Sequence, residues 1–404
     1  MRRLMISLLL IAAACGPVQS RPASTSPGPS VSPLSQPSQS ASLLFAALSG
    51  VPVPSGFEWN RVSIAGLDGN IRAQTSFASM PVPNVGCTGV YAILPLSAHV
   101  AAGRVYFGDG TGVVRSLSVD GQIAKVATFP LTSGQQMLSF AVSPDGSRLL
   151  GAVFTLPPDP QLGCGGPPAL GGYSLDVYAA QPGGATTLLY HESLPEHLAE
   201  HRIDLGINVL AMVGWDQVGP IGTYLTEWAC DGRSDAQPVT QCHGPQNYQG
   251  TPVRVDANTG KVLKQVSDPQ SCPVQHIAVS GSFACILGAD GGLSVRRPDG
   301  SEIWRAASRP NNGYVVAFLS PDERRIVVAL ASSDVKEVVG QDGSRIVLAR
   351  EFVWPQGWLD SETLIGTGAG GGLSYVHLSA PGTVVAIHNQ FLGHVGPLVG
   401  TVRP

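Results

Sequence analysis

Phe140-Ala141-Val142-Ser143-Pro144-Asp145-Gly146-Ser147-Arg148-Leu149-Leu150 reads as a strand, a tight turn and a second strand. Pro144 presets φ at the first turn position, Asp145 bonds its own backbone, and Gly146 takes the φ > 0 corner. Apolar residues on both sides complete a hairpin. The stretch recurs 177 residues later as Ala317-Phe318-Leu319-Ser320-Pro321-Asp322-Glu323-Arg324-Arg325-Ile326-Val327. A weaker echo is Ala278-Val279-Ser280-Gly281-Ser282-Phe283-Ala284-Cys285-Ile286. The separation of the two clear copies is about four periods of roughly 44 residues, the spacing of propeller blades.

Working outward, a hairpin corner recurs along the chain at Asp68-Gly69, Asp120-Gly121, Pro182-Gly183, Thr259-Gly260, Asp299-Gly300, Asp342-Gly343 and Pro381-Gly382, each between β-rich arms. The corner glycines are 52, 62, 77, 40, 43 and 39 residues apart. The last three intervals each match one four-stranded blade. The longer ones carry insertions, among them the Pro/Gly stretch 157–172 and the segment 230–250. The expected fold is all-β: a closed β-propeller of seven blades, six to eight being compatible with the intervals, each of four antiparallel strands. Closing the ring removes exposed sheet edges. A pair of β-sandwiches is the rival arrangement, and regular spacing near 40 disfavours it.

On these turns the chain resembles the WD40-like repeats of the TolB-type β-propellers, whose blades carry a Ser-Pro-Asp-Gly turn before an apolar strand. Ser143-Pro144-Asp145-Gly146 matches fully, and Ser320-Pro321-Asp322-Glu323 departs at the glycine. The resemblance covers roughly residues 57–400. It implies architecture, because the motif occupies a surface turn, and carries no activity.

Composition agrees. Charged residues are 13% of the 404, and 49 Gly with 33 Pro make many turns. That suits an all-β chain better than a helical bundle. A net charge of −4 leaves no electrostatic footprint for nucleic acid.

The N-terminus predicts export. Met1-Arg2-Arg3 is a positive start, and Leu4 to Ala14 is an apolar run too short to span a bilayer. Ile11-Ala12-Ala13-Ala14-Cys15-Gly16 resembles the lipobox of bacterial lipoproteins, with Ala12 where that family usually has Leu. The resemblance implies a signal peptide over 1–14, lipidation of Cys15, and a membrane as partner through that anchor. Ordinary secretion with cleavage near Ala14 is the simpler alternative. Residues 16–42 are almost entirely Ser, Pro, Gln, Ala, Thr and Gly. Such a segment buries too little apolar surface to offset its ordering entropy. The expected division is therefore signal peptide 1–14, lipidated Cys15 and tether 15–42, and propeller 43–404, with the mature chain extracytoplasmic and membrane-anchored.

Six cysteines remain after Cys15, and an even count in an exported chain suggests disulfides. Cys230–Cys242 and Cys272–Cys285 are expected as local bridges, leaving Cys87–Cys164. The alternative for Cys285, which lies in an apolar strand, is a buried free thiol. Zinc held by cysteines is disfavoured, because no Cys-x-x-Cys spacing occurs.

His197-Leu198-Ala199-Glu200-His201 matches the inverted zinc-peptidase pattern. On a helix both histidines share a face and Glu200 activates the metal's water. The segment falls between strands, and no distant Glu ligand or helical scaffold accompanies it. His197, Glu200 and His201 are therefore read as a solvated loop, with zinc the minor alternative. No Gly-x-Ser-x-Gly elbow is present, and Gly370-Gly371-Gly372 precedes no helix. Trp215, Trp228, Trp304, Trp354 and Trp358 are read as blade-to-blade core more readily than as sugar-stacking platforms.

The sequence therefore predicts no catalytic residue, no resident cofactor, and a binding or scaffold module for a protein, peptide or glycan. A hydrolase or lyase with its site at the channel, and a structural envelope component, are the alternatives.

Overall fold

The computed structural model describes residues 43–53, 56–80, 98–133, 135–155, 174–193, 204–205, 209–225, 228–230, 242–243, 252–265, 272, 274–287, 291–307, 314–330, 334–388 and 394–403. They form seven four-stranded antiparallel sheets, the blades of a β-propeller. A further three-stranded sheet joins residues 204–205, 228–230 and 242–243.

One strand from each blade contacts its counterparts in neighbouring blades, so these strands line the axis. Around the ring they are His394–Val402 in blade 1, Ala98–Ala101 in blade 2, Gln136–Val142 in blade 3, Val209–Trp215 in blade 4, Val274–Ile277 in blade 5, Tyr314–Leu319 in blade 6 and Phe352–Trp358 in blade 7. In blades 2 to 7 the inner strand comes first in sequence. Blade 1 is composite. Its inner strand comes from the C-terminus and pairs with Leu44–Val53, which is followed by Gly56–Gly66 and Ile71–Ser76.

The seven corner glycines each fall in the hairpin between the third and fourth strands of one blade, one per blade. The Ser-Pro-Asp turns lie between the first and second strands of blades 3 and 6. Their bonding is the same in both copies. The Ser143 hydroxyl donates to Asp145 at 2.6 Å and accepts from the Arg148 N–H at 2.9 Å. The Ser320 hydroxyl donates to Asp322 at 2.6 Å and accepts from the Arg325 N–H at 3.0 Å. Each turn then ends in an arginine that locks the next blade. Arg148 donates to the Ala257 carbonyl at 2.9 Å, and Arg325 to the Ser361 carbonyl at 2.7 Å and to Glu362 at 2.5 Å.

Strand alternation sends successive side chains to opposite faces of a blade, so each sheet feeds two apolar interfaces. In blade 6, Val338 packs with Phe352, Trp358 and Leu364 of blade 7, while Val339 packs with Leu293, Val295 and Trp304 of blade 5. The face of blade 5 turned the other way carries a small cluster of Cys272, Val274, Phe283 and Cys285. Here the Cys272–Cys285 disulfide forms, with Cα atoms 5.2 Å apart. Cys285 is fully buried and bonded, which replaces the free-thiol alternative.

Candidate functional site

Antiparallel strands alternate their ends, so the connections of a blade divide between two rims. One rim carries the turns between first and second and between third and fourth strands, none of them longer than seven residues. The strand ends that flank the longest connections, 77–97, 156–173 and 226–251, lie on the other rim. Binding residues of scaffold proteins concentrate on loops, and the second rim has the longer ones.

The seven inner strands contain His99, His276 and His394 and no Asp, Glu, Lys or Arg. Among the described residues no group of three or more His, Cys, Asp or Glu is placed to hold a metal. The axial wall therefore offers apolar and neutral hydrogen-bonding surface.

Blade 7 departs from regular pairing where its inner strand begins, at the long-connection rim. Register shifts fall between Phe352 and Trp354 and again between Pro355 and Gly357. A bulge breaks the alternation of faces and re-aims side chains. Phe352 is fully buried, yet Val353 and Trp354, consecutive residues, are 42% and 46% exposed.

The other tryptophans whose side chains are described behave as core. Trp215, Trp304 and Trp358 are buried, and Trp59 is partly buried against the apolar cluster of blades 1 and 2. The indole N–H of Trp304 donates to the Glu323 carbonyl at 2.6 Å, and that of Trp358 to the Phe318 carbonyl at 2.9 Å, both across a blade boundary. Trp354 is thus a correction to the expectation of core. A bulge, invisible in residue type, is what turns it outward. Trp228 lies on a short strand, and its side chain is outside the described residues.

Beside Val353 a pocket of about 340 Å³ opens between blades 6 and 7, lined by Asp334, Lys336, Arg350, Glu351, Val353 and Ala369. Arg350 and Asp334 form an exposed ion pair at 3.0 Å. Exposed pairs of this kind contribute little to stability, about 0–1 kcal/mol. Lys336 is 8% exposed, unusual for a lysine. Sequence reading passed over this residue. Its only signal is a lysine inside Val335-Lys336-Glu337-Val338-Val339, a stretch whose neighbouring valines reach both interfaces.

No protein-family model matches the chain, and no curated protein matches it. Solved structures with a similar course of chain include an oligogalacturonate lyase in complex with manganese, at 9% identity and TM-score 0.46, covering 85% of this chain and 90% of that one. A streptogramin B lyase structure matches at 13% identity and TM-score 0.38, covering 84% and 97%. BamB from Moraxella catarrhalis matches at 12% identity and TM-score 0.35, covering 80% and 82%. Likenesses this distant add nothing about activity.

Cys230 and Cys242 are register partners on paired strands. Cys15, Cys87, Cys164, His197, Glu200 and His201 lie outside the described residues.

Proposed function

We propose that this chain is an exported, membrane-anchored propeller that binds a protein or peptide partner through its long-connection rim, at the bulged start of the inner strand of blade 7. The observation that carries it is Trp354: Trp215, Trp304 and Trp358 are buried in blade packing and Trp59 is partly buried against a blade core, whereas this one is held outward on a strand. An aromatic ring that loses little conformational freedom on binding is a common anchor of recognition surfaces. A glycan would also stack on such a ring. The aliphatic Val353, next to it in the chain, and Ala369, which lines a pocket with Val353, suit a peptide side chain better. The Cys272–Cys285 disulfide supports an oxidising compartment. Export and anchoring rest on the lipobox-like Ala12-Ala13-Ala14-Cys15 and the Ser/Pro-rich tether. A hydrolase or lyase at the channel would have to draw its acid–base groups from the long connections, since the inner strands carry no carboxylate.

The test is capture of partners from envelope extracts by the wild-type chain and by Trp354→Ala. A partner retained by the first and lost by the second, at equal thermal stability, supports the assignment. Identical capture by both sinks it. Separately, Cys15→Ser is expected to move the protein from the membrane fraction to the soluble fraction. Continued membrane retention of that variant would overturn the anchor.

A further inference from the structure

Blade 1 fixes where the expected anchor joins the propeller. Its inner strand ends at Val402, which pairs with Leu44, where the second strand begins. An added Cβ on Gly103, in the first-to-second turn of blade 2, would lie 2.8 Å from the Arg403 carbonyl. Leu44 and Arg403 therefore stand on the short-turn rim, and Trp354 stands on the opposite one. The short-turn rim also carries Val218 and Val279, at 80% and 74% the two most exposed large apolar side chains among the described residues. They sit in the first-to-second turns of blades 4 and 5. These turns are neighbours: an added Cβ on Gly214, near the end of the inner strand of blade 4, would lie 3.9 Å from the Val279 carbonyl. Such turns favour Pro, Asp, Ser and Gly, and blades 3 and 6 place Pro144-Asp145 and Pro321-Asp322 there. Valine favours strands, so neither turn geometry nor burial accounts for it at 218 and 279.

We propose that the short-turn rim rests on a lipid bilayer, with Val218 and Val279 in its headgroup boundary, and that the long-connection rim faces away from the membrane. This rests on the anchoring proposed above and gives the anchored chain its orientation. A bilayer is favoured over other occupants because the chain leading back to Cys15 joins the propeller at this rim. A short link to a surface supplies an effective concentration in the millimolar range, so two aliphatic side chains suffice where a free protein would not stay bound. Blades 4 and 5 lie across the ring from blade 1, so a link at one edge and an apolar contact at the other lay the rim flat. The surface is not a basic one. Asp216, two residues from Val218, is met by Arg254 at 2.5 Å. The turn residues Asp120, Asp145, Asp299 and Asp342 stand on the same rim. They repel an anionic surface, so the contact is with neutral, zwitterionic lipid. Trp354, on the far rim, is left free to meet a partner.

The test uses the full chain, purified with its lipid and reconstituted on phosphatidylcholine vesicles. Val218→Cys, Val279→Cys and Ala369→Cys are each labelled with a polarity-sensitive dye, and the unsubstituted chain serves as the labelling blank. Ala369 is exposed on the long-connection rim. The expected result is a blue shift and quenching by nitroxide-bearing lipid at 218 and 279, and neither at 369. Val218→Asp, at unchanged thermal stability, should abolish the shift of a dye at 279. Phosphatidylglycerol added to the vesicles should not strengthen either signal. A shift at 369 instead, a shift at 279 that survives Val218→Asp, or a signal strengthened by phosphatidylglycerol would overturn the proposal. So would a shift that arises without vesicles as protein concentration rises, which would make this rim a contact between copies of the chain. A chain that does not bind vesicles at all refutes the anchor and the orientation together. A bound chain with no shifted dye refutes the orientation alone.

Discussion

Glu323 occupies the turn position that Gly146 occupies in the matching turn, and both backbones are left-handed, at φ +63° and +73°. A side chain in this region strains against its own carbonyl by about 1 kcal/mol or more. Glu323→Gly is therefore expected to stabilise the protein by up to about 1 kcal/mol, read as a shift in denaturant midpoint. Gly146→Ala is expected to destabilise it, because an added Cβ would lie 2.5 Å from the Tyr106 hydroxyl. Stability unchanged in both would refute the backbone argument.

His99 and His276 pose a different problem for single side chains. They occupy inner strands of blades 2 and 5, edge-on to Phe140 and Phe318 of the following blades, with ring centroids 5.1 and 5.4 Å apart. His276 Nδ1 also accepts the Leu319 N–H at 3.3 Å. Burial pushes both imidazoles down to about 4. Between that value and the ordinary 6.5, the unfolded chain binds protons that the folded chain refuses, so stability rises with pH across this window. Each histidine contributes up to about 3 kcal/mol to that slope, which is flat above roughly pH 7 and again below about 4. Chemical unfolding measured at intervals from pH 7 to pH 4 should show it. His99→Phe should shallow the slope, and an unchanged slope would clear that ring of the role.

Strands and their hairpins carry the next level of organisation, and the blade-5 hairpin is the one that needs help. Its small apolar cluster is crossed by Cys272–Cys285, thirteen residues apart in sequence. Closing a loop of that length is worth up to roughly 3 kcal/mol on the chain-entropy account. Cys272→Ala with Cys285→Ala should lower the unfolding temperature, and dithiothreitol should lower that of the wild type more than that of the double variant. A wild type indifferent to reduction would show the bridge to be dispensable. Elsewhere the hairpins rely on buried cross-blade bonds, such as Trp358 to the Phe318 carbonyl. The Asx turns add a local contribution: hydrogen bonds from Ser143 and Ser147 hold the Asp145 carboxyl down at about 2. That stabilisation is present above the ordinary carboxylate range and lost as pH falls toward 2.

The closed ring depends on one long-range pairing. His394–Val402 lies against Leu44–Val53 and completes blade 1 from the opposite end of the chain. Removing residues 394–404 should leave blade 1 without its inner strand and expose an unpaired edge next to the axis. The expected outcome is an aggregating or insoluble protein, measured by size-exclusion chromatography of the soluble fraction. A monodisperse, cooperatively unfolding truncation would show that the ring does not need this clasp.

Hairpin corners were legible in the chain because turn chemistry is local: Asp-Gly, Pro-Gly and Thr-Gly pairs impose their geometry on the residues beside them, and they mark one hairpin in every blade. The Cys272–Cys285 bridge was legible for the same reason of proximity. The clasp was not, because no local pattern in Leu44–Val53 announces a partner about 350 residues away. Nor was the site. Trp354 and Trp358 are four residues apart in one strand, and residue type cannot distinguish them. A bulge turns one toward solvent, and the blade interface takes the other. Lys336 reads as an ordinary strand lysine until blade 7 packs over its stem and leaves its charge facing a pocket. Local backbone preference writes the elements into the sequence, whereas burial, and with it the meaning of a tryptophan or a lysine, arises only when distant blades close around the axis.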